Sequence, residues 1–205
     1  MHAIIFSMPL RSLVMPFVFG CIVLQGSFPH PIGKANVKIE YLGKARVSAQ
    51  EKSAIIALVF AGNSVQSCTG FNRNEKEGIE SIRIARANLK PGERNLLVQA
   101  SDNCNCGGTG NCSFWILRER PDGLDTLLKT VMVQSFAVEP SSSNGYKDVI
   151  TYAHGSASYG DLSLYQFDGK NYRNTQCARE EYKLRDDGTF DEKPTISSED
   201  CGTEE

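Results

Sequence analysis

The segment with the most chemically capable side chains runs from Asp102 to Cys112 and reads DNCNCGGTGNC. Its cysteines, Cys104, Cys106 and Cys112, form a C-x-C…C triplet whose thiolates would bind zinc or copper. No fourth ligand lies nearby in the sequence, so the favoured interpretation is a disulfide knot. The glycines between the last two cysteines permit the tight backbone path of a small disulfide loop. A thiol or metal protein built on Cys104, Cys106 and Cys112 stays open as an alternative.

The chain has seven cysteines, and those that follow Cys21 are Cys68, Cys104, Cys106, Cys112, Cys177 and Cys201. An even number of cysteines in an exported chain is typical of a disulfide framework, although sequence alone does not fix the pairing. Cys104 and Cys106 are too close to bond each other comfortably. Cys112 can close a short loop with either one, and Cys106 is favoured. Cys104 would then pair with Cys68 or a C-terminal cysteine, and Cys177–Cys201 would tie back the C-terminal segment.

A second candidate site is the run His154-Gly155-Ser156-Ala157-Ser158. The nucleophile elbow G-x-S-x-G is absent, because Ala157 stands where the motif needs serine. A catalytic triad would still be possible if His154 were oriented by an acid such as Asp148 or Asp161 and placed beside a serine such as Ser156. The sequence therefore predicts no catalytic residue, and a hydrolase using His154 with a nearby serine or aspartate stays open as an alternative function.

Two further groups have simple structural interpretations. Trp115, which is preceded by Phe114, is best explained as a core residue, although an exposed aromatic side chain would suit a binding patch. The acidic residues between Asp186 and Glu192 do not match the calcium-loop pattern, so a solvated hairpin is favoured there. We therefore predict no metal and no cofactor.

The N-terminal segment MHAIIFSMPLRSLVMPFVFGCIVLQGS predicts export. Arg11 is followed by an apolar run of about 13 residues, which is shorter than the roughly 20 residues that span a bilayer. A basic start, a short apolar run and small residues after it are typical of a signal peptide, with cleavage near Gly26. Met1 or Met8 would be the true start. We expect a periplasmic or secreted protein without a membrane span in its mature chain.

Cys21 leaves a second outcome open for the N-terminus. The sequence Val18-Phe19-Gly20-Cys21 resembles a bacterial lipobox, in which the cysteine is lipidated and becomes the first residue of a lipoprotein. Phe19 departs from that pattern, because the lipobox has a small residue there. A lipid anchor on Cys21 is thus an alternative to cleavage near Gly26.

Charge and length limit the function classes. The chain contains 22 basic and 24 acidic residues and has a net charge of −2, which argues against a nucleic-acid binder with a basic surface. We predict a signal peptide over residues 1–26, a linker over 27–36, one β-rich domain over 37–185, and an acidic, partly disordered tail over 186–205. The expected partner is a protein or a component of the cell envelope.

The elements that position these residues are mainly strands. Ser48 and Glu51 form a capping box, and the apolar spacing after it predicts one helix over residues 49–61. Downstream, alternating patterns separated by turn signals predict about eight short strands, with a hairpin at Asp168-Gly169 and a flexible connection over 141–145. The predicted fold is α+β: an antiparallel β-sheet or meander with one N-terminal helix, stapled by disulfides.

Four sequence pieces resemble a group of small exported bacterial proteins of unassigned function. They are the C-x4-N-C pattern of 106–112 followed by Trp115, the N-G-Y-x-D of 144–148, the H-G-S-A of 154–157, and the Y-x-F-D-G-x-x-Y of 165–172. The resemblance covers roughly residues 80–180, implies a periplasmic or secreted β-rich domain and supplies no active site. Some pieces also resemble blades of FG-GAP-type repeats, but this chain lacks their calcium loop.

The sequence favours a non-enzymatic exported binding module over the hydrolase and the thiol or metal protein. Export, disulfides and the lack of catalytic motifs support this hypothesis. An inhibitor of a hydrolase such as a lysozyme is one concrete version of it.

Overall fold

The computed structural model describes residues 37–61, 63, 64, 68 and 74–202. The predicted signal peptide, the linker and Cys21 lie outside the described residues. In the described part of the chain, no helix is long and apolar enough to cross a membrane.

Two helices and ten strands occur in the described residues. The helices are α1, Ala49–Phe60, and α2, Glu75–Glu80. The strands are β1 Ile39–Tyr41, β2 Arg83–Ala87, β3 Asn95–Gln99, β4 Cys112–Arg120, β5 Gly123–Val133, β6 Ser135–Ser143, β7 Tyr146–His154, β8 Tyr159–Phe167, β9 Tyr172–Glu181 and β10 Thr195–Glu199.

The strands form two five-stranded antiparallel sheets. The first sheet has the order β1-β2-β3-β4-β5, and the second has the order β10-β9-β8-β7-β6. Strands that are neighbours in the sequence are therefore neighbours in each sheet, which makes both sheets meanders. The predicted fold class, an antiparallel meander with an N-terminal helix and disulfides, is confirmed. The division into two sheets and the short helix α2 are additional findings.

Helix α1 packs on one face of the first sheet. Its Ser48 hydroxyl accepts from the Glu51 amide at 3.1 Å, and the Glu51 carboxylate accepts from the Ser48 amide at 2.6 Å. This confirms the predicted capping box. The core between α1 and the sheet consists of alternate residues of the strands together with the buried face of the helix, including Ile55, Val59, Ile84, Leu96, Val98, Trp115 and Leu117.

The opposite face of the first sheet packs on the second sheet. The strand residues that alternate with the first set, among them Leu97, Phe114 and Ile116, meet an aromatic group from the second sheet that contains Phe136, Tyr146, Tyr165, Phe167 and Tyr172. At one end of this core the Tyr146 hydroxyl donates to Glu93 and accepts from Arg118. The molecule thus has three layers: helix, first sheet and second sheet.

Three disulfides link the layers and loops. The bonded pairs are Cys68–Cys104, Cys106–Cys112 and Cys177–Cys201. These include both pairs that the spacing favours, and Cys104 bonds to Cys68 rather than to a C-terminal cysteine.

Two segments differ from their sequence interpretation. The stretch over 141–145, predicted as a flexible connection, is the end of β6 and a two-residue turn. Asn144 and Gly145 both have positive φ, 48° and 81°, as a type I′ hairpin turn requires. The acidic segment from residue 186 onward contains β10, which pairs with β9 and is tied to it by Cys177–Cys201.

Trp115 is 1 % exposed in the core beneath α1, as its interpretation as a core residue predicts. We expect Trp115→Ala to lower the free energy of unfolding by about 3–5 kcal/mol, because it removes a large side chain from a close-packed site. Chemical denaturation measures this loss. The control is Leu184→Ala, at a side chain that is 65 % exposed, for which we expect a change within about 0.5 kcal/mol. Equal losses for the two variants would contradict the assignment of Trp115 to the core.

The two disulfides near the cysteine loop close loops of different length, with sequence separations of 36 for Cys68–Cys104 and 6 for Cys106–Cys112. The chain-entropy model predicts stabilisation of about 4 kcal/mol for the first and about 2 kcal/mol for the second. Pairwise replacement by alanine, followed by guanidinium denaturation, measures both values. A larger loss for the Cys106/Cys112 pair than for the Cys68/Cys104 pair would refute this account.

Candidate functional site

The cysteine loop is a structural knot in this fold. Its C-x-C…C triplet is divided between two disulfides, because Cys104 bonds to Cys68 and Cys106 bonds to Cys112. Cys68, Cys104 and the Asp102 carboxylate do lie within 4.8 Å of one another. However, both sulfurs are joined in a disulfide, and Asp102 accepts from the amide of Cys104 at 3.0 Å. Metal-binding thiolates would form there only after reduction of that disulfide.

The same loop connects the two sheets and the end of α1. The Asn111 side chain donates to the His154 carbonyl oxygen at 2.7 Å and accepts from the His154 amide at 2.8 Å. The Asn105 side chain donates to the carbonyl oxygen of Val59 in the last turn of α1 at 3.0 Å. His154 therefore contributes backbone groups to the junction between the cysteine loop and β7.

The remaining hydrolase candidates are not brought together. His154 and Asp148 lie six residues apart in β7, which places them about 20 Å apart along the strand. Ser156 instead shares a hydrogen bond with Ser158, at 3.1 Å. Asp148 is 2 % exposed and accepts from Ser141 at 2.6 Å and from Gln166 at 3.3 Å. Among the described contacts, none joins the His154 side chain to Ser156 or to an acid.

A groove of about 420 Å³ lies at the opposite end of α1. Its charged lining consists of Arg46, Glu51, Arg86, Arg94, Glu119 and Arg120, and its apolar lining includes Ala54, Pro121 and Leu124. The first turn of α1 forms one wall. The ends of β2 and β4, the start of β3 and the β4–β5 turn form the rest.

Strand alternation explains why charges gather in this groove. Arg86 follows Ile84 by two residues, and Glu119 follows Leu117 by two residues, so both charged side chains lie on the sheet face that carries α1. Arg94 belongs to the same face, two residues before Leu96. On each of these strands, the side chains that face α1 are apolar beneath the helix and charged beside its first turn.

A buried carboxylate organises the arginines. The Glu119 side chain is 4 % exposed, and its two oxygens lie 2.5 Å from Arg86 Nη1 and 2.5 Å from Arg94 Nε. Arg86 Nη2 also donates to the carbonyl oxygen of Arg46 at 2.9 Å. Glu51 Oε1 lies 3.9 Å from Arg86 and 4.0 Å from Arg94. Glu119 and Glu51 thus hold two guanidinium groups at the groove wall.

Local charges and hydrogen bonds lower the pKa values of two acids in this region, Glu51 and Asp125. Burial raises the pKa of Glu51, but hydrogen bonds from Ser48 and the charges of Arg86 and Arg94 outweigh that effect and lower it below its usual value. Hydrogen bonds from Arg120 and Arg118 lower the pKa of Asp125. Carboxylates that face guanidinium groups are expected to behave in this way.

The groove retains an excess of positive charge after these pairings. Its arginines together with the adjacent Arg118 are five bases, and Glu51, Glu119 and Asp125 are three acids, which leaves two positive charges. Arg46 makes none of the described ion pairs within 4.0 Å, although its charge lowers the pKa of nearby Glu40. Arg94 is 75 % exposed, so much of its guanidinium faces solvent.

Sequence reasoning found Ser48 and Glu51 as a helix cap and missed the groove. Its charged residues come from three separate stretches of the sequence, 46–51, 86–94 and 119–120, and no short motif joins these stretches. One sequence signal for the groove was available. In Ile82-x-Ile84-x-Arg86 and in Trp115-x-Leu117-x-Glu119, two apolar residues at alternate positions are followed by a charged one.

No protein-family model, curated protein or solved structure was found to match this chain. The resemblance to small exported bacterial proteins therefore stays a prediction, and the candidate site rests on the geometry described above.

We expect Asn111→Ala to lower the free energy of unfolding by about 1–3 kcal/mol, because it leaves the His154 amide and carbonyl without partners. His154→Ala should cost less, since it keeps the backbone groups that Asn111 binds. Thermal or chemical denaturation of both variants measures the difference. A greater loss for His154→Ala would show that the imidazole, rather than the backbone, makes the important contact.

Proposed function

We propose that the protein is an exported, non-enzymatic binding module whose groove binds an anionic ligand of the cell envelope. The observation that carries this proposal is the excess of two positive charges in a groove shaped by ion-paired arginines. Guanidinium groups bind carboxylates and phosphates through paired hydrogen bonds, which makes arginine well suited to such ligands.

The disulfides support the location in this proposal. Three disulfides join the six described cysteines, and such bonds persist in oxidising compartments. Together with the signal-like N-terminal sequence, this favours a periplasmic or secreted protein. Lipidation at Cys21 would hold the same domain at a membrane surface.

The groove chemistry favours binding over catalysis. Its carboxylates, Glu51 and Glu119, face arginines, and the Ser48 hydroxyl accepts from a backbone amide of the helix cap. A general base works best with a pKa near the operating pH, and the pKa of Glu51 is lowered below its usual value. No histidine or cysteine is among the described lining residues.

The ligand would be an envelope component or an acidic part of a protein partner. An inhibitor of a hydrolase such as a lysozyme is one version of the second case. In that version the groove would receive acidic side chains from the hydrolase, and the same arginines would be required.

We expect the purified protein to bind soluble polyanions and to release them as salt concentration rises, because screening weakens contacts between exposed charges. Binding of polygalacturonate, polyglutamate and polyphosphate can be measured by isothermal titration calorimetry at two salt concentrations. The double variant Arg46→Gln/Arg94→Gln should reduce affinity at least tenfold.

The matched control is Arg173→Gln/Arg185→Gln, which removes the same charge from arginines that pair with Asp168 and Asp191. This control should retain wild-type affinity. Equal losses for the two double variants would indicate general electrostatic attraction and would count against the groove as the binding site.

A further inference from the structure

We propose that the ligand of the arginine-lined groove is an acidic saccharide, in which carboxylate groups are carried on a sugar bearing several hydroxyls. This inference rests on the proposed function and names its ligand class. It follows from the combination of positive, negative, neutral polar and apolar groups in the groove.

The exposed guanidinium groups supply the carboxylate contacts. The Nε atom of Arg94 lies 2.5 Å from Glu119 in an ion pair, and Arg94 Nη2 is 4.0 Å from Glu51, a distance too long for a hydrogen bond. The terminal nitrogens of Arg94 can therefore donate to a ligand carboxylate. Arg46 is exposed, and it is held in place through its backbone oxygen by Arg86.

One acidic member of the lining argues against a densely charged ligand. Glu51 lies beside Arg86 and Arg94, so a phosphate chain with closely spaced charges would meet this carboxylate as well as the guanidinium groups. Like charges at close range are unfavourable. Sugar hydroxyls would instead donate to Glu51 Oε1, whose distances of 3.9 Å and 4.0 Å from Arg86 and Arg94 are too long for hydrogen bonds. The excess of two positive charges suits one or two ligand carboxylates.

The neutral lining also suits a sugar. Ser48 and Gln50 add polar groups beside Glu51, and Ala54, Pro121 and Leu124 offer apolar surface for the C–H groups of a pyranose ring. The groove volume of about 420 Å³ lies within the range of small-ligand sites. A disaccharide or trisaccharide with one or two carboxylates could therefore place its carboxylates against the arginines, its hydroxyls against the polar residues and its ring C–H groups against the apolar residues.

The experiment compares acidic saccharides with matched ligands that lack one property. The disaccharide of N-acetylglucosamine and N-acetylmuramic acid carries one carboxylate, and N,N′-diacetylchitobiose is its neutral counterpart. Digalacturonate, which carries two carboxylates, is compared with its methyl ester, and tripolyphosphate tests charge without sugar. Each is titrated into wild type, Arg46→Gln/Arg94→Gln and the control Arg173→Gln/Arg185→Gln, after circular dichroism has confirmed folding.

We expect at least one acidic saccharide to bind wild type ten or more times more tightly than its neutral counterpart and than tripolyphosphate. The groove variant should lose this binding at least tenfold, and the control should keep it. If tripolyphosphate binds as tightly as the acidic saccharides, the saccharide inference fails and the anion-binding function stands. Equal binding of the neutral counterparts would also overturn the inference. If neither these ligands nor the polyanions bind, both proposals fail.

Discussion

The fold depends on burying the first sheet on both of its faces. All five residues of β3 and the first six of β4 are buried, so consecutive side chains pack alternately toward α1 and toward the second sheet. Each face carries large apolar side chains, Leu96, Trp115 and Leu117 toward α1 and Leu97, Phe114 and Ile116 toward the second sheet, whose exposure to solvent would be unfavourable. The helix and the second sheet are thus the two layers that these central strands require.

Burial on both faces stops at the ends of β4, and the two ends are held by different interactions. At its first residue, Cys112, the chain is fixed covalently to Cys106, and Asn111 binds the backbone of β7. At its last residues the row toward the helix ends in Glu119, which is buried but surrounded by arginines. A strand of nine residues, about 30 Å long, therefore connects a covalent junction to an ionic groove.

The sequence predicts the elements better than the place where they meet. The capping box at Ser48 and Glu51 and the hairpin at Asp168-Gly169 are local signals, because both partners of each contact lie within a few residues. The Cys106–Cys112 bond is similarly local. The division into two sheets depends instead on which face of each strand packs against which layer. The same alternation of side chains along the strands is compatible with one sheet or with two. The Asn144-Gly145 turn was readable from its residue types, but the serines before it resemble a linker.

The groove could not be predicted because its parts meet only through the sheet. Arg86, Arg94 and Glu119 come from three neighbouring strands or their ends, and Glu51 comes from the helix above them. Glu51 also shows why the groove and the fold are connected. One oxygen of its carboxylate accepts from the Ser48 amide that begins α1, while the other faces Arg86 and Arg94. An anion that draws these arginines away from Glu51 would leave the helix cap intact, because the capping contact uses the other oxygen. The helix cap and the charge that faces the arginines therefore depend on different oxygens of the same carboxylate.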